Sequence, residues 1–325
     1  MYSSNTVIVL SLLSAVSGAA PTASEDTAGR YPSSSVEARD ALPGISWLYA
    51  SAECQPWQYD NLVRAFTDVS QLSIADNAIP EGNNPEFEDF FGQGYTGNQG
   101  ALFWEIFDNL NRAAMFPSTG EGGVTPATKI YPRCNDVANH CSSQAKVSAY
   151  TGDASLYSGP PGAFIVLCPF FWTRDFPHLL DRVAGTPTNS LNSLMTQEHI
   201  VLHELMHANA ISYGPDGGAY DILDLKSPLP GESDNPNIPG SISSVAVYGV
   251  QRCKKFAAKG SPNIRTRKNA DNYAWFASGY YFSKAWGVAV DGGENILPPA
   301  EDPTGFLEVN DGTVYGDDLV EDEDV

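Results

Sequence analysis

The sequence predicts a helix-rich α+β domain in which a small sheet lies next to one buried helix. Three observations lead there. The run 196–210 carries His203-Glu204-x-x-His207 among Ile200, Val201, Leu202, Leu205 and Met206, the composition of a buried helix. Gly162-Ala-Phe-Ile-Val-Leu-Cys168 is a short apolar run of strand length bounded by Gly-Pro turns. Segments of helical period outnumber strand-like runs along the rest of the chain.

In chain order, residues 1–19 look like a secretory signal. Val7 to Val16 form an apolar stretch too short to span a bilayer, and Ser17-Gly18-Ala19 supply small residues for cleavage before Ala20. The segment before the apolar stretch holds no Lys or Arg. Residues 20–45 are rich in Ser, Ala, Thr and Pro and read as a disordered N-terminus or a short propeptide. The main domain is expected over 46–290. A helix is expected over 59–74, with Leu62, Phe66, Val69 and Leu72 on one face, and another over 101–115. Residues 78–99 and 116–161 read as loops, the second with strand candidates at Ile130-Tyr131 and 147–150. Residues 214–243 form a long Gly- and Pro-punctuated loop, and helices are expected over 245–258 and 268–285. The chain closes, over 291–325, in an acidic tail ending Glu321-Asp-Glu-Asp324, expected to be disordered.

A chain of 325 residues with 42% hydrophobic content and 15 each of Tyr and Phe has ample material for a core. Its net charge of −21 argues against nucleic acid and anionic membrane surfaces as partners. A secreted, extracellular monomer is expected, and secretion permits disulfides. Among the five cysteines, Cys134 and Cys141 are close enough to staple one loop. Two of Cys54, Cys168 and Cys253 can then pair, leaving one over.

The chemistry starts at the histidine helix. Side chains four apart on a helix are neighbours, so His203 and His207 can reach one metal ion, for which zinc suits the ligand type. Glu204 lies beside the first ligand, where a carboxylate can take a proton from metal-activated water. His199 is one turn too far away to join both rings at one ion and reads as a surface residue or a support for the ligands. Neither His140 nor His178 suggests a role. A catalytic zinc site needs a third protein ligand. No histidine follows His207, and Glu232 lacks the context of a ligand glutamate. Asp216, Asp221 and Asp224, which lie 9, 14 and 17 residues beyond His207, are the candidates.

The His203-Glu204-x-x-His207 helix, the pair Tyr248-Gly249, the stretch Asn269-Ala-Asp-Asn-Tyr-Ala-Trp-Phe-Ala277 and the run Leu167-Cys-Pro-Phe-Phe-Trp172 resemble the fungal aspzincins. These are the deuterolysin-type and lysine-specific metalloendopeptidases, and the likeness spans roughly residues 160–280. The resemblance implies a zincin-like fold and Zn2+ held by two His and one Asp. It also implies hydrolysis of peptide bonds in protein or peptide substrates by Glu-assisted attack of zinc-bound water. Tyr248 matches the family's Tyr-Gly position and is the candidate oxyanion donor, a buried structural tyrosine being the alternative. Asp271 reads as a partner for a ligand imidazole, with a helix N-terminal carboxylate as the alternative. One departure stands out: the family places its ligand Asp three residues before the Tyr, where this chain has Val245. Gly214-Pro-Asp-Gly-Gly-Ala-Tyr220 echoes the motif in a shifted register, and Ile222-Leu223-Asp224 resembles a divergent form of it. Asp224 is therefore favoured as third ligand, with Asp221 next and Asp216 after it. The alternative is a relative altered in catalysis that acts as a secreted zinc- or protein-binding antigen. A structural protein with a chance histidine helix is the remaining reading.

Overall fold

The computed structural model describes residues 42–74, 85–95, 100–120, 129–143, 147–154, 161–173, 176–208, 211, 222–227, 245–258 and 265–290. The expected signal, the segment up to 41, the acidic tail and most of the 214–243 loop, including Asp216 and Asp221, lie outside them.

The apolar run at 162–168 forms strand β3 (Gly162–Leu167), the centre of a three-stranded sheet ordered β1-β3-β2. Strand β1 (Lys129–Arg133) runs parallel to it over the first strand candidate, and β2 (Ala149–Asp153) runs antiparallel, starting inside the 147–150 candidate and extending past it. A strand sends successive side chains to opposite faces. Accordingly Ala163, Ile165 and Leu167 enter the main core, while Phe164, Val166 and Cys168 join a smaller cluster with Tyr131 and Tyr150. Directly opposed residues of an antiparallel pair share a face. Thr151 opposes Ile165 and so faces the main core.

Helices supply the rest of that core. Helix α1 (Ala50–Glu53) is a single turn. Helix α2 (Pro56–Asp68) starts on a proline at its first position and continues into a 3-10 turn at Val69–Leu72. Leu62, Phe66, Val69 and Leu72 are all buried, as their period predicts. Helix α3 (Pro85–Phe91) lies where a loop was expected. Its signal was legible: Pro85 opens it, Glu86 and Glu88 complement the helix dipole, and Phe87, Phe90 and Phe91 form its buried side. Helix α4 (Gly100–Thr119) runs one turn beyond its expected end. Phe87, Phe103, Phe107 and Phe276 pack ring against ring at centroid distances of 4.7–5.9 Å and weld α3 and α4 to the C-terminal helix. Short helices α5 (His140–Ser143) and α6 (Leu179–Val183) sit in connections.

Helix α7 (Gln197–Met206) carries the histidines. It is capped by Thr196, whose hydroxyl accepts from the His199 amide at 3.2 Å. All ten residues are buried, because α2, α4, strand β2 and the C-terminal helix pack around it. The helix ends at Met206 with His207 as its C-cap, short of the expected 210. The expected helix over 245–258 is divided. Val245–Ala246 form strand β5 against β4 (Lys226–Ser227), and helix α8 (Val250–Ala257) follows. Gly249 separates them at φ 82° and ψ 154°, a conformation open to glycine. Helix α9 (Ala270–Trp286) closes the domain and is buried through its first ten residues.

The disulfides correct one expectation. Cys134 and Cys141 do not pair with each other. Cys54 joins Cys134, which ties α1 to the end of β1, and Cys141 joins Cys168 across the smaller cluster. Proximity in sequence lost to the sheet, which carries the two neighbours to different partners. Cys253 is in neither disulfide, and it is buried. Two disulfides fit an oxidising compartment. Among the described residues, no helix is long and apolar enough to cross a membrane.

Candidate metal centre

His203 and His207 meet with their Nε2 atoms 3.2 Å apart. Asp224 closes the triangle: Oδ1 lies 3.2 Å from His203 Nε2 and Oδ2 lies 3.2 Å from His207 Nε2. Among the described residues this is the one group of three or more His, Cys, Asp or Glu side chains placed to hold a metal ion.

The chain brings Asp224 here by backbone pairing with segments distant in sequence. Leu223 N–H donates to Lys268 O at 2.8 Å, and Ala270 N–H donates to Leu223 O at 3.0 Å. On the other side, Val247 N–H donates to Leu225 O at 2.7 Å. Residues 222–225 are thus stitched between the start of α9 and the segment before α8. Asn269 bridges both, accepting from Leu225 N–H at 2.9 Å and donating to Val247 O at 3.1 Å. That gives the Asn-Ala-Asp-Asn stretch a physical reason: its side chains hold the strands that carry the site.

The tautomers follow from the outer nitrogens. His207 Nδ1 is 2.8 Å from the Ile222 carbonyl oxygen, which can only accept, so Nδ1 carries the proton and Nε2 presents its lone pair. His203 Nδ1 lies 3.2 Å from Asp271 Oδ1, an ion-pair distance short of hydrogen-bond alignment, and the negative charge there favours the proton on that nitrogen. Two lone pairs and a carboxylate therefore face one another, an arrangement that repels itself unless positive charge lies between them. Protons respond to the same field. Burial alone would lower both histidines, yet the charge and hydrogen bonds of Asp224 push His207 up and His203 well above the usual imidazole value. Burial would raise Asp224, but the two imidazoles hold it well below the usual carboxylate range.

A tetrahedral zinc ion with bonds of about 2.0–2.1 Å sets its ligand atoms about 3.3 Å apart. The two imidazole nitrogens, 3.2 Å apart, match that spacing, and Asp224 turns one oxygen to each of them at 3.2 Å, with one ligand atom from each residue falling within 4.8 Å of the others, so the residues fit the ion. His203 is nearly enclosed, whereas the His207 and Asp224 side chains are 16% and 28% exposed, so the cluster opens to solvent on their side.

Glu204 stands beside this triangle and is itself buried. Burial raises its carboxyl, while His203, His207 and a hydrogen bond from Thr151 pull it back. Thr151 Oγ1 lies 2.7 Å from Glu204 Oε2 and 2.9 Å from the Glu204 main-chain oxygen. Tyr248 is buried with its ring 5.8 Å from that of His203. Burial first, then the charge of Asp224 and a hydrogen bond to it, push the Tyr248 phenol well above its ordinary value, so it stays protonated.

Of the sequence candidates, the structure brings together His203, Glu204, His207, Asp224, Tyr248 and Asp271. His199 is not a surface residue. It is 1% exposed, its Nδ1 lies 2.9 Å from Ser278 Oγ and its ring packs 4.3 Å from Trp275. His178, which the sequence left without a role, braces the start of α7: its Nδ1 lies 2.7 Å from Glu198 Oε1, and Leu179 N–H donates to Glu198 Oε2 at 2.7 Å. Thr151 was missed altogether. No local pattern marks it, because its relation to Glu204 exists only through the sheet.

Fold and site together define a helix-rich α+β chain with a His-His-Asp cluster, buried at His203 and open to solvent at His207 and Asp224, and an adjacent glutamate. No protein-family model matches the chain, and no curated protein matches it.

Proposed function

We propose that the chain is a secreted, zinc-dependent endopeptidase of the aspzincin kind, with a zincin-like form of this α+β fold. The observation that carries the reading is the triangle of lone pairs from His203, His207 and Asp224, with Glu204 at its side. Zinc bound by these three residues would supply Lewis acidity, acidifying water and polarising a peptide carbonyl. Glu204 takes the proton of the attacking water and passes it to the leaving amine. The carbon–oxygen bond forms, the carbon–nitrogen bond breaks, and the proton ends on the amine nitrogen. Burial of Glu204 favours this shuttle, since a carboxylate held up in pKa accepts a proton readily. Tyr248, kept protonated, is suited to donate a hydrogen bond to the oxyanion. The hydrogen bond from His207 to the Ile222 carbonyl and the Asp271 carboxylate beside His203 favour both rings with Nε2 turned inward.

The test is zinc content and casein cleavage measured on the same purified protein. One zinc per chain is expected, with cleavage abolished by a chelator and by Glu204→Gln, while the variant keeps its zinc. Zinc without hydrolysis would instead indicate a metal- or protein-binding relative. A wild-type protein that takes up no zinc sinks both readings.

A further inference from the structure

Asp271 lies at the second position of α9 and is 0% exposed. Its two oxygens serve different elements. Oδ1 faces His203 Nδ1 at 3.2 Å. Oδ2 accepts from Gly249 N–H at 2.6 Å, from the Trp275 indole N–H at 2.9 Å and from Cys253 Sγ at 3.4 Å. Gly249 directly follows Tyr248, and its glycine-only backbone conformation is what turns its N–H toward the carboxylate.

We propose that Asp271 is a positioning residue that couples the two halves of the site, one oxygen fixing the tautomer of His203 and the other anchoring the turn that carries Tyr248. This rests on the zinc reading of His203, His207 and Asp224. The chemistry of a carboxylate makes the coupling possible, because it accepts on both sides at once. An amide accepts on one side only. In Asp271→Asn the amide oxygen belongs on the side with two N–H donors, Gly249 and Trp275, so its NH2 group faces His203. Facing a donor instead of a carboxylate, His203 is driven to carry its proton on Nε2, the nitrogen needed for the metal. Asp271→Ala removes both supports.

Zinc affinity is measured by competition with a chromophoric chelator, and exchange of the Gly249 amide by NMR. For Asp271→Asn, affinity is expected to fall roughly 10- to 100-fold while Gly249 stays slow to exchange. For Asp271→Ala, affinity falls and Gly249 exchanges faster. Wild type and Asp271→Asn binding zinc equally overturns the proposal while leaving the zinc site intact. No zinc in wild type overturns the site reading and this proposal with it. Should the variants not fold, the His203 Nδ1 proton of zinc-loaded wild type decides: an NMR signal protected from solvent exchange by the Asp271 carboxylate is expected, and one that exchanges as fast as a solvent-facing imidazole N–H overturns the proposal.

Discussion

Replacing Thr151 by Val tests how Glu204, the proposed general base, is held. The two side chains are nearly the same shape, so the change removes a hydroxyl and little else. That hydroxyl has one proton and two acceptors within reach. The Glu204 main-chain oxygen, at 2.9 Å, already accepts from His207 N–H at 3.2 Å. The carboxylate oxygen is nearer, at 2.7 Å, and charged, so it takes the proton. A hydrogen bond to a charged group contributes about 1.5–3 kcal/mol. If that interaction holds Glu204 in its working position, its loss lowers kcat/KM roughly 10- to 100-fold at neutral pH. The sign of the pH effect is also set. The hydroxyl favours the charged carboxylate, so without it the Glu204 pKa rises further and the acid limb of the rate profile moves to higher pH. The assay is the pH profile of peptide hydrolysis, with zinc content measured in parallel. Thr151→Ser should restore most of the rate. A Thr151→Val enzyme with wild-type rate and an unmoved acid limb would refute the reasoning.

Three further expectations follow from the same geometry. Asp224→Ala should abolish stoichiometric zinc, whereas Asp221→Ala and Asp216→Ala retain it; metal analysis of the three variants decides, and full retention in Asp224→Ala would remove Asp224 as a ligand. The two disulfides should contribute unequally, since Cys54–Cys134 closes a sequence separation of 80 and Cys141–Cys168 one of 27. Chain entropy gives about 4.5 and about 3.5 kcal/mol, so urea titration of the paired Cys→Ala variants should find the first the more destabilised. His199 should make stability pH-dependent, because burial, only partly countered by the Asp271 charge, pushes its pKa down to about 4. The unfolded chain then binds the extra proton first, so the stability is complete above about pH 6.5 and is lost as pH falls to about 4, by roughly 3 kcal/mol. A wild-type slope over that window no steeper than that of His199→Gln would contradict this.

Local patterns were readable wherever the cause lies within a few residues. The spacing of His203 and His207 follows from one helical turn, and the burial of Leu62, Phe66, Val69 and Leu72 follows from the same period. The run at 162–167 is a strand because its neighbours on both faces are apolar. Helix α3 went unread because Gly and Pro around it outweighed its three phenylalanines. The break at Gly249 was hidden in an otherwise helical pattern, and only its positive φ reveals why it is there.

The sequence by itself determined the helix with its two histidines and glutamate, the central strand and the material for a core, since each depends on short-range periodicity. Only the tertiary structure decided how the site is completed. Asp224 reaches the imidazoles because Leu223 and Leu225 pair with Lys268, Ala270 and Val247, contacts between residues more than twenty apart in the chain. Thr151 meets Glu204 because its place opposite Ile165 turns it toward α7. Cys134 finds Cys54 rather than Cys141 because the sheet holds them together. In each case the deciding contact lies across the fold, and no local pattern records which distant backbone a side chain will meet.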